Sequence, residues 1–551
     1  MELLLFENSW MDVWDGHAPT EPVGAVFTKP EIVSLILDLA GYSPKERQLA
    51  DLHLLEPSCG DGAFLAEIIR RLIQSERVHG GGVDWSCDRL DAALTACDLN
   101  LGFVMLAKAQ VTEQLMAEGC GPARAAELAE AWIRHADFLL TTWPRRYDFV
   151  VGNPPYVRIE DLPAAVLRRY RELYPTCTDR ADLYVAFFEN GLRLLNSEGR
   201  LAFICANRFA KNLYGRALRQ LIAREFHVRC FLNLEHTQPF ASDVSAYPCV
   251  TVIDRQRGEP TFATSLSSLD DQTFSDISRS AANGSVPSLA AFPSWYSDGS
   301  PWIATERKSF DLLSALEAGF PSLEESAPGT VVGIGVATGA DRVFVTKGLI
   351  ESVEPECQMP LVMAGDVQPE ALSWSGHYLV NPFAPVDDGS LRDLSEFPGL
   401  AAYFEKHREA LLKRHVAKKR PAGWFRTIDR VTASLLSKPK LVIPDIQPGG
   451  IIGLDKGRFY PHHNVYWVTS TSWDLRVLQA LLRSKWVTDQ VRAHSVAMRG
   501  GSLRYQAQVL RKLRIPGEHT LSETLKTELA ALASSGDQAA LDSLTEPLFV
   551  P

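Results

Sequence analysis

The chain has 551 residues, 46% hydrophobic and 22% charged, the profile of a globular protein long enough for two to four domains. No run approaches 18 apolar residues, and the opening MELLLFENSW sets acids around a short apolar stretch, so neither a membrane span nor a secretory signal is expected. The nine cysteines lack CxxC spacing, which argues against a disulfide framework or a cysteine-held zinc; no metal is expected, and a reducing cytoplasm fits.

In chain order, residues 32–41 (IVSLILDLAG) predict an apolar helix. Residues 53–56 (HLLE) predict a short strand running into a glycine turn, and residues 63–73 a helix. Residues 94–98 (LTACD) read as a strand ending on an acid, and residues 147–151 (YDFVV) as a buried strand. A helix over 184–195, a strand over 200–205 (RLAFIC) and another over 250–253 follow. Strands alternating with helices predict an α/β, doubly wound, Rossmann-like, mostly parallel sheet over residues 1–255, with ligands beyond the carboxyl ends of its strands. Ser, Asp and Pro rise after residue 255 and periodicity fades, so 256–305 reads as a linker or irregular lead-in. Residues 306–551 show short strands broken by Gly and Pro, then helical stretches over 472–492 and 522–544, an α+β pattern.

The net charge of −11 is unevenly spread. Between Glu405 and Pro516 there are 22 Lys/Arg against 7 Asp/Glu, a local balance of +15 that leaves −26 for the rest. A basic segment inside an acidic protein is a candidate phosphate-binding surface. Lys413, Arg414, Lys418, Lys419, Arg420, Arg426 and Arg504 are its candidate contacts to a nucleic-acid backbone.

Three features cluster at predicted strand ends. The run Glu56-Pro57-Ser58-Cys59-Gly60-Asp61-Gly62 follows one strand and opens a helix, where glycines permit close backbone approach and the helix N-terminus favours an anionic group. Its Gly-x-Gly spacing alone is equally a structural turn, with Cys59 present as a small residue. Asp98 could accept bonds from both hydroxyls of a ribose, or cap the next helix. Asp137-Phe138 could bind an exocyclic amine and pack on a base, or be a loop acid beside a core ring.

The most specific signal is Asn153-Pro154-Pro155-Tyr156, directly after the buried strand. The two prolines fix the backbone and remove two N–H donors, so the turn presents acceptors: the Asn153 side-chain oxygen and the Pro154 carbonyl. An aromatic amine such as N6 of adenine is a poor nucleophile because its lone pair is delocalised. Two acceptors gripping its hydrogens favour a pyramidal nitrogen able to attack a sulfonium methyl group in line. Tyr156 offers a stacking face for a base removed from its duplex.

These residues, in this order, resemble the gamma-class, TaqI-type N6-adenine DNA methyltransferases, over nearly the whole chain. The resemblance implies S-adenosylmethionine as cofactor, duplex DNA as substrate, a C-terminal target-recognition domain and a setting in restriction–modification, with a cognate endonuclease as a separate partner. It implies that Phe27 and Thr28, in Phe-Thr-Lys-Pro, form the N-terminal cofactor motif, with Thr28 at the methionine part. Glu56, Pro57, Ser58, Cys59, Gly60 and Gly62 would form the main cofactor motif, Asp98 would hold the ribose, and Asp137 and Phe138 the adenine. Asn153 and Phe187 would lie against the cofactor, and Phe240 would hold the flipped base opposite Tyr156, with Tyr247 as the alternative. The segments at 361–367, 440–444, 503–506 and 513–516 resemble landmarks of the recognition domain. Arg158, Arg168, Arg169, Arg171 and Arg180 could add backbone contacts to DNA. Asn at position 153 favours adenine over the cytosine-N4 relatives, and no Pro-Cys pair has the context of a cytosine-C5 nucleophile. No nuclease cluster is evident. An RNA adenine or protein glutamine methyltransferase, and a non-catalytic DNA-binding subunit, are the competing readings; the large basic half favours duplex DNA.

Overall fold

The computed structural model describes the chain except residues 1–8, 15–25, 236, 243–246, 258, 267, 269–276, 278–289, 293–294, 297, 303–306, 496–500 and 550–551. It divides into two compact units, Met1–Phe310 and Asp311–Pro551. Among the described residues, no helix is long and apolar enough to cross a membrane.

The first unit is built on nine strands: β1 (Leu54–Pro57), β2 (Leu94–Asp98), β3 (Ile133–His135), β4 (Tyr147–Gly152), β5 (Leu195–Ala206), β6 (His227–Asn233), β7 (Pro248–Asp254), β8 (Thr261–Ser265) and β9 (Ala290–Phe292). They lie in the order β3-β2-β1-β4-β5-β7-β6-β8-β9. The pairs from β3 across to β5 are parallel, and β7 is antiparallel to both β5 and β6. Successive residues of a strand face opposite sides of the sheet. Leu54, Phe149, Val151, Ala202 and Ile204 therefore pack in one core, against helices Pro30–Ala40 and Ala63–Gly80. Leu55, Val150, Leu201, Phe203 and Cys205 pack in the other, against helix Tyr184–Arg193. Burial on both faces explains why these strands read as continuous apolar runs.

The expected linker over 256–305 is corrected in part. Thr261–Ser265 pairs parallel with β6 and Ala290–Phe292 pairs antiparallel with β8, so this polar segment closes the edge of the first sheet. Strands of five and three residues are too short for alternation to stand out in a Ser- and Asp-rich stretch, which hides them from a periodicity search.

The second unit holds β10 (Val331–Ile334), β11 (Val345–Lys347), β12 (Gln358–Val362), β13 (His377–Val380), β14 (Lys440–Pro444), β15 (Ile446–Gln447), β16 (Gly453–Asp455), β17 (Tyr460–Pro461), β18 (Val465–Thr469) and β19 (Leu503–Arg504). Two four-stranded sheets, β10-β18-β14-β16 and β11-β13-β12-β17, and a small β15-β19 pair make its framework. Helices Leu475–Arg483, Lys485–His494, Glu523–Leu532 and Gln538–Phe549 complete a core with the first of these sheets, so the unit is α+β.

A fully buried ion pair sits in that sheet. Lys440 Nζ lies 2.7 Å from an Asp455 oxygen, and both side chains are wholly shielded from solvent. The ammonium also donates to the carbonyls of Leu435 and Lys438, while the carboxylate accepts from the backbone N–H groups of Arg458 and Phe459. Every charge-bearing group thus has partners, and removal of one partner strands the other in a low-dielectric core. Asp455→Ala is expected to lower unfolding stability by about 3–5 kcal/mol, read by denaturant melts. Asp455→Asn, which keeps one acceptor, should cost less.

Candidate active site

The carboxyl ends of β1, β2 and β4 open onto a cavity of about 370 Å³ in the first unit. Phe27, Thr28, Glu56, Ser58, Cys59, Gly60, Asp98, Asp137, Phe138, Asn153 and Phe187, all expected from the sequence, line it. Pro57, Gly62, Pro154, Tyr156 and Phe240 are not in that lining.

The turn after β1 owes its path to three residues with left-handed backbones: Ser58 at φ 68°, Gly60 at φ 54° and Gly62 at φ 92°. Glycine adopts this region without a Cβ penalty, whereas Ser58 carries strain of the kind stored at functional sites. The turn is tied to β2, since Cys59 N–H donates to the Cys97 carbonyl at 2.9 Å and Gly60 N–H to Asp98 Oδ2 at 2.9 Å. Asp98 Oδ1 accepts from Asn100 N–H at 2.8 Å, so the backbone holds the carboxylate where it lines the cavity. Burial holds the Asp98 carboxyl above the usual carboxylate range.

Glu56 is deeper, 1% exposed, and its Oε2 has no hydrogen-bond partner. Burial, then the charges of Asp98 and Asp61, push its carboxyl well above its ordinary value. The cavity thus includes a desolvated acid.

Asp137 lies on the opposite wall with its acceptor capacity occupied. Its Oδ2 accepts from Trp14 Nε1 at 2.9 Å and from the Tyr170 hydroxyl at 2.6 Å, and its Oδ1 from the N–H groups of Leu139 and Leu140 at 2.8 and 3.2 Å. Four donors on two oxygens hold this carboxylate in place in the ligand-free arrangement. Asp137 so ties Trp14 and Tyr170 to the wall, while the Phe138 ring, 5.0 Å from that of Phe187, supplies the apolar surface.

Asn153 is held by the N-terminal segment. Its Nδ2 donates to the Val26 carbonyl at 2.7 Å and to Thr28 Oγ1 at 3.1 Å. A carbonyl can only accept, so the amide orientation is set by chemistry and the side-chain oxygen is the free end. That Oδ1 is buried and has no partner. The segment carrying Val26 and Thr28 is itself pinned: Lys29 N–H donates to the Pro239 carbonyl and Ala241 N–H to the Phe27 carbonyl, forming an antiparallel bridge between Thr28 and Phe240.

This bridge brings Phe240 to Tyr156. Their rings stand edge to face, centroids 6.0 Å apart at 84°, and Phe240 is 3% exposed. The Tyr156 hydroxyl is buried without a partner, and burial pushes its pKa well up. The other aromatic considered, Tyr247, is half-buried, and its carbonyl accepts from Asn207 N–H.

The sequence reading missed Trp14, Tyr170 and Asn100. Trp14 lies in an undistinguished MDVWDG stretch and Tyr170 in an arginine-rich helix, so only folding reveals that both serve Asp137. Asn100 was legible in principle as the N-cap of helix Leu101–Ala117, where its side chain accepts from Phe103 N–H.

In the second unit, the candidate DNA-contacting residues separate into two groups. Arg414 donates to the carbonyls of Leu411, Thr338 and Trp424 and stacks over Phe344. Arg504 is paired with Asp445, and Arg426 lies over the Phe383 ring. The Arg414 and Arg504 guanidinium groups are thus committed within the unit. Lys413, Lys418, Lys419 and Arg420 are exposed, with Lys413 in a surface pair with Glu409. In the first unit, Arg180 pairs with Glu160 and Arg169 with Glu172, all at exposed positions, and Arg171 donates to the Asp179 carbonyl.

A parallel sheet whose strand ends gather a glycine turn, a terminal acid and an Asn-Pro-Pro-Tyr turn defines a methyltransferase-type catalytic unit. The model of the family described as Eco57I restriction-modification methylase matches residues 105–240, which include Asn153–Tyr156. Over 534 residues the chain is 42% identical to the Type II methyltransferase M.PaeR7I of Pseudomonas aeruginosa, covering 96% of this chain and 92% of that one. It is 40% identical to the Type II methyltransferase M.XhoI of Xanthomonas vasicola, covering 96% and 97%. The chain belongs to the Type II DNA methyltransferases of restriction–modification systems. Its fold is shared with the Type IIL restriction-modification enzyme MmeI, solved in complex with DNA, at a TM-score of 0.59 and 13% identity over 95% of this chain and 74% of that one.

The raised Glu56 pKa has a consequence for the ligand-free protein. The folded state keeps a proton that the unfolded chain loses near the ordinary glutamate value, so Glu56 costs stability progressively as pH rises from there through its folded pKa. Glu56→Gln should therefore melt with the wild type at pH 4 and above it at pH 8, in thermal scans without ligand. Equal melting at both values would show that Glu56 is ionised at no cost.

Proposed function

We propose that this enzyme transfers a methyl group from S-adenosylmethionine to N6 of an adenine flipped out of duplex DNA. The observation that carries the reading is the Asn153 amide: its nitrogen is spent on Val26 and Thr28, and its oxygen is buried and unpartnered. An acceptor held dry in this way is suited to grip an amine hydrogen, because it needs no reorganisation when the nitrogen becomes pyramidal. The Pro154 carbonyl, kept at hand by the two-proline turn, is the second acceptor.

The cavity fits the cofactor's chemistry. Asp98 is placed to accept from the ribose hydroxyls, Phe138 and Phe187 offer apolar faces to a purine, and Glu56, which keeps its proton in the ligand-free protein, can ionise where a cationic ligand group offsets its burial. When bound, S-adenosylmethionine supplies an electrophilic methyl on a sulfonium that leaves as a neutral thioether. Asn153 and Pro154 orient the attacking nitrogen, and the proton it sheds after attack passes to water. Tyr156 offers its ring to the base. Phe240 serves as the opposing surface only after the edge-to-face pair opens, since the two rings now occupy each other's contact area.

Residues 311–551 serve as the target-recognition unit in this reading, with Lys413, Lys418, Lys419 and Arg420 as phosphate contacts. The surface pair of Lys413 with Glu409 is weak enough to exchange for a phosphate. A cognate endonuclease acting separately on the same DNA would complete the system.

Labelled S-adenosylmethionine and duplex DNA should yield N6-methyladenine on digestion. Asn153→Ala should reduce transfer by about 100-fold or more, the scale for loss of a preorganised acceptor, while cofactor affinity measured by calorimetry changes little. Label appearing in cytosine, or turnover that survives Asn153→Ala, would overturn the reading. The triple variant of Lys418, Lys419 and Arg420 to alanine should weaken DNA binding and flatten its salt dependence by roughly 0.9 in log–log slope per lost phosphate contact. Arg414→Ala should instead lower the melting temperature and leave that slope unchanged.

A further inference from the structure

Three polar side chains outside the catalytic cavity converge in the second unit. Asp341 opens the short helix Asp341–Phe344, and His462 and His463 lie between β17 and β18. One donor atom of each lies within 4.8 Å of the others. His462 Nε2 is 3.2 Å from Asp341 Oδ2 and 3.1 Å from His463 Nδ1. A zinc-class ion with bonds of 2.0–2.1 Å to N and O ligands has tetrahedral edges of about 3.3–3.4 Å. The two spacings lie close to that edge.

The ring orientation points the same way. His462 Nδ1 faces Asn464 Oδ1 at 2.7 Å, a contact that an Nδ1–H makes to an accepting oxygen. That leaves Nε2 as the nitrogen turned toward the Asp341 carboxylate and the His463 ring. His462 is 3% exposed, so protein groups rather than bulk solvent surround it.

The surroundings resemble the outer shell of a metal centre. The Asn464 contact fixes the tautomer and ring plane of His462, as a second partner commonly does for a ligating histidine. Thr338 Oγ1 donates to the other Asp341 oxygen, leaving Oδ2 as the one turned toward the rings. The backbone of His462 is fixed by its N–H to the Val362 carbonyl and by a bridge to Val336.

We propose that Asp341, His462 and His463 bind one zinc-class divalent transition-metal ion, with solvent in the fourth position. Asp341 is 47% exposed at its side chain, which leaves that position open to water. The ion would clamp the loop ahead of Asp341 to the β17–β18 turn and so stiffen the second unit. No step of methyl transfer involves it.

The full-length protein, stripped by chelator dialysis, is titrated with Co²⁺ and then Zn²⁺. The expected result is one equivalent of Co²⁺ with the visible absorption of a four-coordinate ion, its displacement by Zn²⁺, and a higher melting temperature with either metal. Asp341→Asn and His463→Ala lie at partly exposed positions, and circular dichroism checks their fold. Both should weaken binding by at least about 100-fold, the upper end seen for loss of even an outer-shell partner, and lose the metal-dependent rise in melting temperature. Folded wild type that shows no saturable binding of either ion overturns the proposal. Variants that bind as tightly as the wild type overturn it equally, and so does a single protonated His462 detected in place of metal binding.

Discussion

The orientation of one amide governs the catalytic unit. Asn153 turns its oxygen inward because the Val26 carbonyl and the Thr28 hydroxyl occupy its nitrogen. Those groups are in place because Phe27–Lys29 forms an antiparallel bridge with Pro239–Ala241. The same bridge seats Phe240 against Tyr156. A short stretch near residue 28 therefore couples the Asn153 amide to the aromatic pair beside it, across more than 120 residues of sequence. Backbone hydrogen bonds make this coupling strict, since a shift of one residue would reverse the side-chain directions.

Around that amide the cavity holds two buried acids. Burial raises both, and the charge of Asp98 raises Glu56 further, yet Asp98 is relieved by backbone N–H groups and Glu56 Oε2 has no such partner. Two acids in one cavity thus differ in how far the backbone satisfies them. Asp137, on the same cavity, has four donors on its two oxygens.

The second unit separates its positive charge by function. Arg414 and Arg504 satisfy carbonyls and a carboxylate inside the fold, and Lys440 is buried with Asp455. The cations at 418–420 face solvent. A count of basic residues adds both kinds together, although only the second adds to the field outside the protein.

The sequence by itself determined the α/β class, the strands β1, β2 and β4, and the cluster at their carboxyl ends. Apolar runs buried on both faces, glycine at turns and the two-proline turn are local properties, and local properties survive in one dimension. It also placed Phe27, Thr28, Glu56, Asp98 and Asn153 on a common site, and the cavity includes all five. Tertiary structure alone decided which side chains still have capacity to act. The engagement of Asp137 by Trp14 and Tyr170, the freedom of Asn153 Oδ1 and the internal commitment of Arg414 each depend on partners distant in sequence. It alone showed that residues 261–265 and 290–292 complete the first sheet, and that Asp341 meets His462 and His463. Residue type fixes what a group can donate or accept; only the fold fixes how much of that capacity is already used.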